Sequence, residues 1–224
     1  YPLRRQRQMC IRDRSGIMSL AAASGEDLGT TSDIVTDALT AFGLQAGDAG
    51  HFADVLAQAS ANANTNVSML GESFKYVAPV AGAMNYSVED TSLALGLMAN
   101  ASIKGSMAGT ALKTSLANMA APTDSMAAAM DKYGISLTDS EGNMKSLRGV
   151  IDNLRGSLGG LSETEQTAAA STIFGKEAMA GMLAIINASE EDYNKLSTAI
   201  GNSKDAAEGM ADTMLDLSLI HISE

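Results

Sequence analysis

Asn-Ala-Ser-Ile-Lys-Gly-Ser-Met-Ala-Gly-Thr-Ala-Leu-Lys-Thr-Ser-Leu-Ala-Asn-Met-Ala-Ala-Pro, residues Asn100 to Pro122, is the stretch on which the reading of this chain turns. Leu112, Leu116 and Met119 recur at helical spacing and mark one apolar stripe. Pro122, with no N–H to donate, ends the helix. Ahead of the stripe almost every residue is small. Gly105 and Gly109 stand four apart, where glycine lets a second backbone approach closely. The block reads as a helix that packs through a thin layer.

The rest of the chain repeats this grammar. Aromatics make up 4% of the 224 residues and tryptophan is absent, so the core is built from aliphatic side chains, alanine and methionine. Methionine fills irregular gaps between helices. A chain of this length can form one domain or two small ones and bury on the order of 70% of its unfolded surface. Ile34, Ala38 and Phe42 trace a helix stopped by Gly43. Phe52, Val55, Leu56 and Ala59 mark the next, and Leu70, Phe74, Val77, Ala81 and Met84 a third. Pro79 inside the third predicts a kink or a split. Ser87 caps a fourth helix, with Asp90 expected to reach back to it in a capping box. Val88, Leu95, Met98 and Ala99 face inward there, and Met126, Met130 and Tyr133 continue into a short helix beyond Pro122.

Residues 134–147 break the rhythm. Ile135 and Leu137 alternate with polar residues, and Ser140-Glu141-Gly142-Asn143 reads as a turn, predicting a small β-hairpin or an extended loop. Leu147, Ile151, Leu154 and Leu158 then form a stripe closed by Gly159-Gly160. Ser162-Glu163-Thr164-Glu165 is a capping box. Its helix is interrupted at Phe174-Gly175 and resumes through Ala178, Met182, Leu183 and Ile186. Ser189 caps a helix carrying Tyr193, Leu196 and Ile200, and Ser203 opens a last one through Ala206, Met210 and Met214. The expected fold is all-α: a compact array of short antiparallel helices. No heptad persists, so this is not a rod, which at about 200 residues would extend about 300 Å.

The two ends read as foreign. Arg4–Asp13 and Leu217–Glu224 resemble translated transposon-end adapters of sequencing libraries. Codons atg tgt ata aga gac ag give Met9 to Asp13 and the start of Arg14, and their reverse complement gives Leu217 to His221 and the start of Ile222. Residues 1–14 and 217–224 are therefore set aside as non-native tails, leaving 15–216 as a fragment. The exclusion removes Cys10 and His221, so His51 is the sole remaining histidine. It takes five arginines from 15 cations and two carboxylates from 26 anions, leaving ten and 24, a formal charge of −14. Such an acidic balance with scattered lysines opposes nucleic-acid binding. The longest apolar run, Val77–Met84, is too short to span a bilayer.

The Asn100–Pro122 block, followed in order by Tyr133-Gly134-Ile135, Asp139 with Gly142-Asn143, Ile173-Phe174-Gly175 with Glu177-Ala178, and Ala206-Ala207-Glu208-Gly209-Met210-Ala211, resembles the core of the phage tail tape measure proteins. The likeness runs from about Leu28 to about Met214. The positions that match the family are Lys104, Gly105, Gly109, Thr110, Gly134, Asp139, Gly142, Phe174 and Gly175, expected to specify the fold. The resemblance implies a structural protein that fixes tail length by templating tail tube polymerisation, with passage of DNA through the host envelope as a further role. It implies several copies per tail, contact with the tail tube protein and tail assembly chaperones, and a place in the tube lumen of the virion after assembly in the host cytoplasm. Contact with the host envelope would fall to regions outside this fragment.

Candidate chemistry is weak by comparison. Gly105–Thr110 falls one residue short of a phosphate-binding loop and lacks its Lys-Ser/Thr pair. Asp139–Asn143, aligned on Gly142 as a calcium loop, places Leu137 at the first ligand position. His51 has no nucleophile at a readable position. The pairs Glu163/Glu165 and Glu190/Glu191 sit in first helical turns, where carboxylates offset the helix dipole. Met69, Met84, Met98, Met107, Met119, Met126, Met130, Met179, Met182, Met210 and Met214 fill a core or, alternatively, form an adaptable binding surface. No catalytic, cofactor-binding or metal-ligating residue is expected. The alternatives to a tail protein are a peptidoglycan-degrading module, which would need a convergent set of titratable groups, and a helical signalling or effector protein, which sustained heptads would have favoured.

Overall fold

Local capping chemistry sets the helix starts in the computed structural model, which describes the chain over residues 15–223, with side chains through residue 216. The tail at residues 1–14 and the side chains of residues 217–224 lie outside the described residues. Helix α1 occupies residues 15–24. Asp27 then accepts from the Thr30 N–H and starts α2 (Leu28–Phe42), which Gly43 ends in a left-handed conformation. A 3-10 turn at Ala46–Asp48 leads into α3 (Ala49–Asn62). Asn66 caps α4 (Val67–Ala83), Ser87 caps α5 (Val88–Asn100) and Gly105 precedes α6 (Ser106–Ala120). Thr123, Ser146, Ser162 and Ser189 cap α7 (Asp124–Tyr133), α8 (Leu147–Leu158), α9 (Glu163–Phe174) and α11 (Glu190–Gly201). Between the last two lies α10 (Met179–Ile186), and α12 covers Ala206–Ser223. Each cap satisfies a backbone N–H that the helix cannot and contributes about 1 kcal/mol.

The chain is all-α among the described residues, as the periodicity predicts. The segment between α7 and α8 is an extended loop closed by a single antiparallel bridge, Thr138 to Met144, with no strand. Pro79 does not split α4, which is continuous from Val67 to Ala83. Pro79 and Lys75 are both exposed, so the Lys75 carbonyl that loses its helical partner faces solvent.

Two layers organise the array. In one, α2 and α4 lie side by side in the same direction: a Cβ on Gly71 would meet Ile34, and one on Gly82 would meet the Ala41 carbonyl. Helix α6 packs on α4 and continues this layer toward α9 and α10. In the other, α3, α5 and α11 pack on one another, with α12 against α3. A single apolar cluster runs between and through the layers. Phe42, Phe52 and Phe74 meet edge to face, with ring centres 5.8 and 5.4 Å apart, and Phe74 is shared by both contacts. Complete burial of side chains such as Phe52, Leu56, Leu70 and Leu112 stabilises by about 1.5–3 kcal/mol each. No helix among the described residues is long and apolar enough to cross a membrane.

Polar groups join helices distant in sequence. Asp90 does not reach back to Ser87, as the capping-box expectation held; its carboxylate accepts from the Arg148 backbone N–H at 3.0 Å and from Arg148 Nε at 3.1 Å. The Ser87 hydroxyl caps α5 alone. A residue distant in sequence caps α12. Asp54 of α3 does so across the fold, accepting the Asp205 and Ala207 N–H groups at 2.9 Å each.

Candidate functional site

The residues expected from the resemblance to specify the fold lie in three places. The first is the crossing of α4 and α6. Gly105 adopts φ 58° and ψ −137° at the start of α6, a conformation that L side chains rarely adopt. Its carbonyl accepts from the Ser73 hydroxyl of α4 at 2.8 Å. Gly109, one turn on, faces the Ser73 backbone so closely that a Cβ there would lie 2.3 Å from the Ser73 carbonyl oxygen. The two glycines therefore let one helix lie directly on the backbone of the other.

The second place is the α9–α10 corner. Phe174 is fully buried at the end of α9, and its carbonyl accepts from Asn118 Nδ2 of α6 at 2.8 Å. Gly175 turns the chain beside that same amide. The quoted block and the Ile173-Phe174-Gly175 landmark thus meet in space. Thr110 is exposed on α6 and, with Ile103, Ser106, Met107 and Thr114, faces residues 177–181 across a trough of about 310 Å³. Lys104 is half-buried in the turn before α6.

The third place is the loop between α7 and α8, which holds Gly134, Asp139 and Gly142 apart from the first two. Asp139 folds the turn around itself: its carboxylate accepts from the Glu141 and Asn143 N–H groups at 2.9 Å each and from Asn143 Nδ2 at 3.2 Å. The Asn143 backbone and side-chain donors hold the carboxyl below the ordinary aspartate range. Its oxygens are thereby directed inward to the loop backbone. Asn153 of α8 fastens the loop by accepting from the Ser136 N–H and donating to the Gly134 carbonyl.

The candidate chemical residues are accounted for by local contacts. His51 pairs with Glu89 at 2.6 Å on the surface. The Glu165 carboxyl is held below its ordinary range chiefly by the Ser162 hydroxyl, which donates to it at 2.6 Å. Glu190 pairs with Arg155 at 2.7 Å. No cluster of three metal-ligating side chains occurs among the described residues. Of the methionines, Met98, Met119, Met130 and Met182 are buried, whereas Met69, Met107 and Met214 are exposed.

Sequence reasoning passed over the two arginines of α8, although they are the only arginines between residues 15 and 216 and stand seven apart. Arg148 joins α8 to Asp90 of α5 and to the Ser197 hydroxyl of α11. Arg155 donates to the Ile185 and Ala188 carbonyls at 3.0 and 2.8 Å, satisfying the end of α10, and lies 4.8 Å from the Tyr193 ring centre. Gln166 and Asn187 exchange two 2.8 Å amide bonds between α9 and the end of α10. Every one of these contacts holds helices together.

Comparison with known proteins finds relatives among phage tail proteins. The family model described as phage-related minor tail protein matches residues 15–175. The chain is 43% identical over 201 residues to the tape measure protein of Pneumococcus phage Dp-1, covering 90% of this chain and 18% of that protein. It is 26% identical over 202 residues to the probable tape measure protein of Escherichia phage P2, covering 89% of this chain and 25% of that protein. The chain thus spans about a fifth to a quarter of the length of these relatives. No solved structure matches it. The chain belongs to the phage-related minor tail protein family, as a region of the tape measure kind.

Proposed function

We propose that residues 15–216 form a folded module of a protein that sets tail length, carried in several copies within the growing tail while tail tube protein polymerises around them. The observation that carries this reading is the 43% identity over 90% of the chain to a tape measure protein. The module contributes a compact helical body and no chemistry of its own. Gly105, Gly109, Phe174 and Gly175 shape the joint between α4, α6, α9 and α10; Gly134, Asp139 and Gly142 shape the loop before α8; Lys104 stands in the turn before α6 and Thr110 lines the trough. Tail assembly chaperones and the tube protein are its partners during assembly in the host cytoplasm, and the tube lumen is its place in the virion. On infection the protein leaves ahead of the DNA and assists passage through the envelope. The acidic surface keeps the module from holding the DNA that follows. Residues 1–14 and 217–224 belong to adapter sequence, a reading supported by the complementary codons for Met9–Asp13 and Leu217–His221.

The test is a set of in-frame deletions in a phage that carries the full protein, read by electron microscopy. Deletions in rod-like stretches shorten tails in proportion, whereas deletions within this module abolish assembly. Proportional shortening by deletions here would overturn the placement, and lysis of cell-wall substrate by the purified chain would overturn the non-enzymatic reading.

A further inference from the structure

Helix α12 is held to the body differently from every other helix. Among the described residues each of α1 to α11 buries at least one large side chain, such as Leu20 in α1, Met130 in α7 or Leu196 in α11. The buried residues of α12 are Ala207 and Ala211 alone. An alanine methyl removes far less apolar surface from water than a leucine or methionine side chain. Helix α12 packs on α3, and beyond Ala211 its residues through Asp216 are exposed, Met214 and Leu215 among them.

A polar latch does what apolar burial does elsewhere. Asp54 of α3 accepts the Asp205 and Ala207 N–H groups at 2.9 Å each. Both bonds run to a carboxylate, so they are stronger than neutral ones, and the negative charge sits at the positive end of the α12 dipole. Asp205 occupies the left-handed region at φ 59°, which is costly for a non-glycine residue and persists only where surrounding contacts hold it. A cleft of about 440 Å³ opens beside the latch, lined by Asp54, Lys204, Asp205 and Glu208 among others, so water reaches the root of the helix.

We propose that α12 is a hinged arm: the Asp54 latch opens, the chain swings about residues 202–205, and α12 leaves α3 as a unit while α2 to α11 stay folded. Elements that bury little apolar surface open at a lower free energy than the whole fold. Opening also frees Asp205 from its left-handed conformation, which offsets part of the loss of the two bonds. The hinge rests on the fold alone and not on the assembly reading.

Hydrogen exchange of the purified 224-residue chain, read by mass spectrometry, tests this. Amides of residues 206–216 should exchange together, about tenfold or more faster than those of α5 and α11. Asp54→Ala should speed α12 by about a further tenfold and leave α5 and α11 unchanged, with Asp54→Asn, which keeps one acceptor oxygen, in between. Asp205→Gly, which keeps the N–H and suits the left-handed conformation, should slow α12 by about threefold. Exchange of α12 in step with α5 and α11, or indifference of α12 to Asp54→Ala, overturns the proposal. Rates that fall steadily from residue 216 back to 206 are end fraying and overturn it as well, as does faster exchange in Asp205→Gly. None of these outcomes bears on the tail-deletion experiment, so failure of the hinge and failure of the assembly reading are separable.

Discussion

Gly109 of α6 rests against the backbone of Ser73 in α4, with room for a hydrogen but not for a methyl group: a Cβ would sit 2.3 Å from the Ser73 carbonyl oxygen and 3.0 Å from its Cα. The obstacle is main chain and cannot rotate away. Alanine gains about 1 kcal/mol over glycine in a helix interior, but overpacking costs about 1–3 kcal/mol and the helices must separate to relieve it. Gly109→Ala should therefore destabilise the chain by about 1–2 kcal/mol in urea unfolding. Gly156→Ala, exposed on α8 with nothing within 4 Å, should stabilise it by about 0.5–1 kcal/mol. If both alanines stabilise, the close approach is not tight.

Asp90 and Arg148 form the main polar tie between α5 and α8, with side-chain exposures of 12% and 34%. Removing the arginine side chain leaves a mostly buried carboxylate short of a charged partner. Arg148→Ala should cost about 2–4 kcal/mol, more than Lys113→Ala on the exposed face of α6. A double-mutant cycle with Asp90→Ala should give a coupling of about 1–3 kcal/mol, and additivity of the two changes would refute the tie.

The Tyr86 hydroxyl is buried without a hydrogen-bond partner among the described residues. Burial pushes its phenol from 10.0 up to about 12. Deletion of an unsatisfied hydroxyl removes a desolvation penalty, so Tyr86→Phe should stabilise the chain by about 1 kcal/mol near neutral pH. A raised folded value means stability that is complete below the unfolded value and is lost as pH rises through the folded one. The parent should therefore lose stability between about pH 10 and pH 12, with a shallower loss in Tyr86→Phe, measured by thermal unfolding across that range.

Asp139 and Glu165 act in the opposite direction. Both carboxyls are held below their ordinary values, Asp139 by the Asn143 donors and Glu165 by Ser162. Their contribution is present above the unfolded values near about pH 4 and is lost as pH falls through the folded ones. Urea midpoints should decline below about pH 4, and Asp139→Asn should flatten part of that decline. An unchanged slope in the variant would remove Asp139 from the account.

Helix ends were legible because capping is local. Ser87, Ser162 and Ser189 each bond an N–H three residues on, and Gly43 ends α2 by its own backbone conformation. The apolar stripes were legible for the same reason, since a helix presents residues three and four apart on one face. Leu112, Leu116 and Met119 are buried as their spacing predicts. Pro79 shows the limit: its sequence position predicts a break, but the outcome depends on which way the helix faces.

The order of short helices, their caps and their buried stripes were thus determined by the sequence alone, because each depends on neighbours within a turn or two. Only the tertiary structure decided that Asp54 would cap α12 from 151 residues away, that Asp90 would turn from its own helix to Arg148, and that Gly109 would meet Ser73. Those pairings depend on which faces meet and how closely the backbones approach, distances that the packing of many side chains sets together and that no local spacing encodes.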